Sequence, residues 1–204
     1  MKILKFILSG FISMFLVFTV LGQTNQGNIL IGGESNLNFS SFNSKWKSDD
    51  GNGKFGKTTS FDFSPRVGFF IIDNLAIGAK LPISFQSEKD DNNDKFSSTS
   101  LAIAPFVKYY FGAKNIKPYL NGSFGFGTIS MKDEPESGPS DNYSSGLFLY
   151  EFGGGLGIFF NDKVSLDISL GYTSKTYKDK EDNINNFRTI YSGIGLGIGF
   201  SICL

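Results

Sequence analysis

The chain has 204 residues, with 19 basic and 19 acidic, no histidine and one cysteine. That composition excludes imidazole-assisted catalysis, an internal disulfide and the basic surplus of a nucleic-acid binder. Glycine at 25 and phenylalanine at 23 are both abundant, as suits a sheet with one greasy face and one crowded face.

Residues 1–22 place Lys2 and Lys5 ahead of an apolar run from Phe6 to Leu21, with small residues before Gln23. This is the pattern of a secretory signal peptide, and no cysteine follows it to suggest a lipoprotein. Removing Lys2 and Lys5 leaves 17 basic residues against 19 acidic in the expected single domain, 23–204.

From here apolar residues recur at every second position, the signature of strands with two different faces. The first expected strand, 28–39, sets Ile29, Ile31, Leu37 and Phe39 against Asn28, Gly32, Glu34, Asn36 and Asn38, with Leu30 breaking the polar set. A polar loop, 40–59, follows. The second strand, 60–71, sets Phe61, Phe63, Val67 and Phe69 against Asp62, Ser64, Arg66 and Gly68. A short turn at Ile72-Asp73-Asn74 leads to the third, where Leu75, Ile77, Ala79, Leu81, Ile83 and Phe85 oppose Lys80, Ser84 and Gln86.

After a second polar loop, 87–97, the fourth strand sets Leu101, Ile103, Val107 and Tyr109 against Ser100, Ala104, Lys108 and Tyr110. The even turn Gly112-Ala113-Lys114-Asn115 then switches parity to Leu120, Phe124 and Phe126. A third loop, 131–145, precedes a hairpin across Asn161-Asp162-Lys163, in which pairing of residues 160 and 164 keeps Phe148 to Tyr172 on one face. Glu151 and Asp167 lie on the other face. A fourth loop, 177–186, leads to a last strand with Ile190, Ile194, Leu196, Ile198, Phe200 and Ile202 outside and Tyr191, Gly193, Gly195, Gly197 and Ser201 inside.

Eight strands joined by alternating long and short connections predict an all-β, eight-stranded antiparallel up-and-down transmembrane β-barrel. An even count puts both chain ends on the short-turn, periplasmic side, and the last strand closes on the first so that lipid meets no open edge. Phe69, Tyr109 and Phe160, with Phe85 and Tyr172, are expected to form two interfacial girdles. Pro65, Pro82 and Pro105 are expected at bulges and Pro118 at a strand start, because proline cannot donate to a ladder.

The inward parity collects Glu34, Asp62, Arg66, Lys80, Lys108, Glu151 and Asp167. Charges in so narrow a lumen are expected to pair as a structural network. The glycine runs 153–157 and 193–197 lie inside strands rather than at a strand-to-helix turn, so they predict no nucleotide site. Their expected task is to make room for Arg66, Lys80, Tyr110 and Tyr191. Acidic loop tips at 49–53, 90–94 and 178–182 lack the spacing of a calcium loop, so neither a metal nor another cofactor is expected.

The runs Ser64-Pro65-Arg66-Val67-Gly68-Phe69-Phe70, Asp73-Asn74-Leu75-Ala76-Ile77-Gly78 and Ala104-Pro105-Phe106-Val107-Lys108-Tyr109-Tyr110-Phe111 resemble the outer membrane β-barrel proteins of Bacteroidetes-type bacteria. These are small eight-stranded barrels similar in architecture to OmpX and the OmpA membrane domain. The resemblance covers the mature chain and includes its strand prolines. It implies residence in the outer membrane, contact with lipid and lipopolysaccharide, insertion by barrel-assembly machinery, a monomeric state and no binding of nucleic acid. Such barrels often end in an aromatic residue, whereas this chain ends Ile202-Cys203-Leu204. The expected function is structural or surface-interacting, through four long outer loops and without a catalytic site. A narrow ion or small-solute channel is the nearest alternative, and a soluble ligand-binding barrel is a further one.

Overall fold

The computed structural model describes residues 24–36, 41–48, 51–89, 94–112, 115–135, 139–179 and 188–204, with the backbone alone at 36, 41–48, 51–58 and 179. The strands are β1 (Ile29–Asn36), β2 (Ser41–Ser48), β3 (Gly51–Ile72), β4 (Leu75–Lys80), β5 (Ile83–Lys89), β6 (Lys95–Tyr110), β7 (Ile116–Glu134), β8 (Asp141–Phe159), β9 (Val164–Asp179) and β10 (Arg188–Cys203). All pairings are antiparallel. β1 lies between β10 and the inner part of β3, and β2 takes its place beside the outer part of β3. β4 and β5 are two halves of one crossing, both sitting between β3 and β6. Counted as crossings, the strands form a closed ring of eight, the up-and-down barrel that the alternation predicts.

The first and last described residues lie beside the short turns. The Ile29 amide donates to the Leu204 carbonyl at 2.7 Å, and the Leu204 amide returns a bond to Ile29 at 2.9 Å. Residues 24–28 fold beneath the β3–β4 turn, where the Asn74 amide donates to the Thr24 carbonyl at 2.7 Å. Asn74 holds a φ of 68°, a left-handed conformation that asparagine tolerates better than most residues. One bulge between Phe70 and Ile72 restores the even register across this turn, so that Phe69 faces Ile77. In the hairpin between β8 and β9, the Phe160 amide donates to the Val164 carbonyl at 2.9 Å, which is the expected alignment.

The bulges expected at prolines are absent. Register runs unshifted past Pro65, Pro82 and Pro105, and Pro118 lies inside β7 rather than opening it. Three of the four instead keep the acceptor half of a ladder pair. Leu81 donates to Pro65, Ala102 to Pro82 and Phe111 to Pro118, at 2.9, 3.0 and 2.7 Å. A closed ring tolerates the loss of single donors because neighbouring rungs hold the register. The visible cost is local: the third crossing is interrupted at Leu81-Pro82, between β4 and β5.

Three of the four polar stretches read as long loops are largely strand; the fourth, 177–186, is strand to 179 and otherwise falls outside the described residues. β2 and the start of β3 occupy most of 40–59, β5 and β6 extend into 87–97, and β7 and β8 leave only 135–140 between them. Alternation vanishes there because both faces meet water, but ladder bonds need no apolar side chains. The barrel therefore rises past the bilayer as paired β-extensions.

The outward face carries Val67, Phe69, Ile77, Leu101, Ile103, Val107, Leu120, Phe124, Phe126, Phe152, Leu170 and Phe200, all exposed. A soluble monomer rarely shows so continuous an apolar surface, whereas lipid solvates it. The girdle residues Phe69, Phe85, Tyr109 and Phe160 are exposed on this face as well. Tyr172 packs beside Phe152, with ring centroids 5.3 Å apart.

Candidate functional site

The lumen is layered. Its periplasmic end is filled by Leu30, Phe70, Ala76, Phe106, Tyr110, Tyr119, Phe159 and Cys203, one contiguous buried cluster. The Tyr110 ring meets Phe70, Tyr119 and Phe159 at centroid distances of 6.1, 5.6 and 6.2 Å. Among these aromatics, sequence reasoning missed Phe70, Phe106 and Phe159. The missed signal was a set of large apolar residues on the polar parity, each close to a short turn or a chain end. Leu30, which broke the polar set, is one of them and is fully buried.

Glycines clear the space for this floor. A Cβ on Gly68 or Gly78 would lie within 2.8 or 2.9 Å of the Phe106 ring, and one on Gly155 would lie 2.6 Å from the Tyr119 hydroxyl. Gly157 makes room for Tyr110, as expected, whereas the glycine against Arg66 is Gly32, outside those runs. Neither Lys80 nor Tyr191 is among the nearest atoms that a Cβ on any described glycine would meet, contrary to expectation. Glu34 takes the space above Gly197 instead.

Above the floor all seven predicted charges are paired. Arg66 Nη1 donates to Glu34 Oε2 at 2.9 Å, and its Nη2 donates to Asp167 Oδ2 at 2.5 Å. Lys108 Nζ reaches the same Asp167 oxygen at 2.7 Å and lies 3.7 Å from the centroid of Tyr119. Asp167 is only 1% exposed and also accepts from Ser165 and Ser201, at 3.1 and 2.6 Å. Register brings these groups together: β10 stands between β1 and β9, with Ser201 opposite both Gly32 and Ser165. One tier outward, Lys80 Nζ donates to Glu151 Oε1 at 2.8 Å, and Ser169 donates to Glu34.

Outermost, Asp62 accepts from Ser84 and lies 3.7 Å from Lys175. Lys175 was missed because the expected strand was read no further than Tyr172, although its position continues the inward parity of β9. The acidic stretches 49–50, 90–93 and 180–182 fall outside the described residues, and no metal-holding cluster occurs among the described ones.

A lumen sealed at one end, charge-paired above and lipid-facing outside is a site of architecture before it is one of chemistry. The sequence from residue 12 to residue 200 matches the family model of the outer membrane protein beta-barrel domain. The chain belongs to the outer membrane protein beta-barrel domain family. This family places the protein in the outer membrane.

No curated protein sequence matches the barrel. Among solved structures, it is similar to a major outer membrane protein of Thermus thermophilus, 9% identical with a TM-score of 0.50, over 87% of this chain and 99% of that one. It is also similar to Ail, the attachment invasion locus protein of Yersinia pestis, at 13% identity and a TM-score of 0.44, over 88% and 99% of the two chains. The N-terminal β-barrel domain of Pseudomonas aeruginosa OprF is 15% identical with a TM-score of 0.41, over 88% and 98%. The likeness to the Thermus protein is one of fold.

Proposed function

We propose that this outer-membrane barrel has no catalytic site and acts as a rigid support, presenting its outer β-extensions at the cell surface. The observation that carries this reading is the sealed floor. Tyr110, Tyr119, Phe70 and Phe159 are each at most 3% exposed. A continuous aqueous path would have to break that packing and strand buried charges, at a cost of several kcal/mol for each charge. Nucleophilic catalysis by a Ser-His pair has no imidazole to use.

On this reading residues 1–22 are an export signal and assembly machinery inserts the barrel. It stands as a monomer in contact with lipid and lipopolysaccharide, since its ring leaves no edge inside the membrane for a second copy to pair with. Purified protein in planar bilayers is expected to give no conductance steps at neutral pH. Stable, reproducible single-channel steps would overturn the closed-lumen reading in favour of the narrow channel.

A further inference from the structure

The wall on the long-loop side of the ion-pair tiers lines two adjoining open cavities, of about 310 and 500 Å³, that share Asp62, Lys175 and Tyr191. Both volumes lie within the range of small-molecule sites. We infer that this vestibule binds a small, neutral, polyhydroxylated molecule of mono- or disaccharide size, taken from the extracellular side.

Charge decides the class of ligand. Glu34, Asp62, Glu151 and Asp167 are matched by Arg66, Lys80, Lys108 and Lys175, each acid in contact with at least one base. The charged groups lining the cavities are Glu34, Asp62, Glu151 and Lys175. Each of these acids is already held by a base, Arg66, Lys175 or Lys80, so an entering ammonium or carboxylate would have to displace an existing pair to repay its own desolvation. A ligand of uncharged hydroxyls escapes that penalty and exchanges its bonds to water for bonds to the wall.

The wall supplies such bonds. Asn121 Oδ1 is buried at the inner cavity with no partner among the described residues, an acceptor awaiting a donor. Asp62 and Lys175 form the loosest and most exposed of the lumen pairs, at 3.7 Å against 2.5–2.9 Å for the others. Ser84, Ser98 and Ser100 line the outer cavity with hydroxyls.

An apolar surface completes the site. Tyr177 and Tyr191 meet edge-to-face at 5.7 Å, and Tyr191 is 63% exposed, leaving most of its surface uncovered. Beside Tyr177, the buried cluster of Ala102, Ala104, Leu147 and Leu149 holds the wall rigid. An aromatic platform flanked by hydroxyls and one carboxylate is suited to a sugar ring, whose C–H face stacks while its rim hydrogen-bonds.

The test is saturation-transfer NMR on the refolded full barrel in lauryldimethylamine oxide, a detergent without a sugar headgroup. The probes are methyl glycosides of glucose, galactose, mannose and N-acetylglucosamine, with spermidine and glutarate as charged controls. At least one glycoside is expected to receive saturation. Tyr191→Ala and Asp62→Asn are each expected to weaken that binding at least tenfold, with heat-modifiable migration on gels verifying that both variants fold. Silence from all four glycosides, undiminished binding in either folded variant, or binding of spermidine or glutarate alone would overturn the assignment.

Discussion

Removing the Asp167 carboxylate tests the lumen network most directly. Asp167 is the shared partner of two cations, and the two do not lose equally. In Asp167→Ala, Arg66 keeps Glu34 at 2.9 Å, but Lys108 has no second carboxylate within bonding distance among the described residues. Lys108 is 2% exposed, and the faces of Tyr119 and Tyr110, at 3.7 and 4.7 Å, are what remain to it. A cation–π contact is worth about 2 kcal/mol when desolvated, whereas stranding one member of a buried pair costs about 3–5 kcal/mol. The substitution is therefore expected to destabilise the barrel by roughly 3–5 kcal/mol.

Lys108→Met leaves Asp167 with Arg66 and both serines, so it should cost less, about 1.5–3 kcal/mol, the value of a hydrogen bond to a charged group. The Asp167→Ala/Lys108→Met double variant removes the stranded charge and is expected to be more stable than Asp167→Ala alone. Urea unfolding in micelles, followed by fluorescence and by heat-modifiable migration, reads these differences. At a slope of about 1–3 kcal/mol per M, the midpoint for Asp167→Ala should fall by at least about 1 M. A change under about 1 kcal/mol, or a double variant less stable than Asp167→Ala, would refute the account of Asp167 as the anchor of Lys108.

Gly78→Ala should destabilise by about 1–3 kcal/mol through overpacking, because its Cβ would meet the Val67 carbonyl, Gly68 and the Phe106 ring. Gly122→Ala is the control, since its Cβ finds its nearest atoms at 3.9 Å and should leave the unfolding midpoint almost unchanged. At the outer end of β7, the hydrogen bond from Lys132 to Glu134 at 2.6 Å, helped by the charges of Lys132 and Lys95, holds the Glu134 carboxyl below its ordinary range. An NMR pH titration should find that group still ionised where an ordinary glutamate is half protonated. Lys132→Ala should return its midpoint upward; an unchanged midpoint would remove the assigned cause.

Much of the fold was legible because the environment imposes a period of two. Each crossing separates lipid from lumen, so Phe148 and Leu170 could face one way while Glu151 and Asp167 faced the other. Turn lengths then carried parity from strand to strand, and the seven lumen charges followed from parity alone. The outer ends were illegible for the same reason. Past the bilayer both faces meet water, so the ends of β5, β6 and β7 carry no alternation although their ladders continue. Lys175 was lost with that boundary, and the floor was lost because Phe70 and Phe159 sit on a parity expected to be polar.

The sequence by itself determined the crossing number, the inward and outward sets and the absence of imidazole chemistry, because strand periodicity and composition are local properties. Tertiary structure decided who meets whom around the ring. Asp167 on β9 receives Arg66 from β3 and Lys108 from β6, residues separated by 101 and 59 positions along the chain. Such partners follow from the stagger between strands and from side chains reaching across a closed lumen, and no spacing along a single strand encodes either. The same closure turned a set of inward apolar residues into a buried floor and left an open polar vestibule above it.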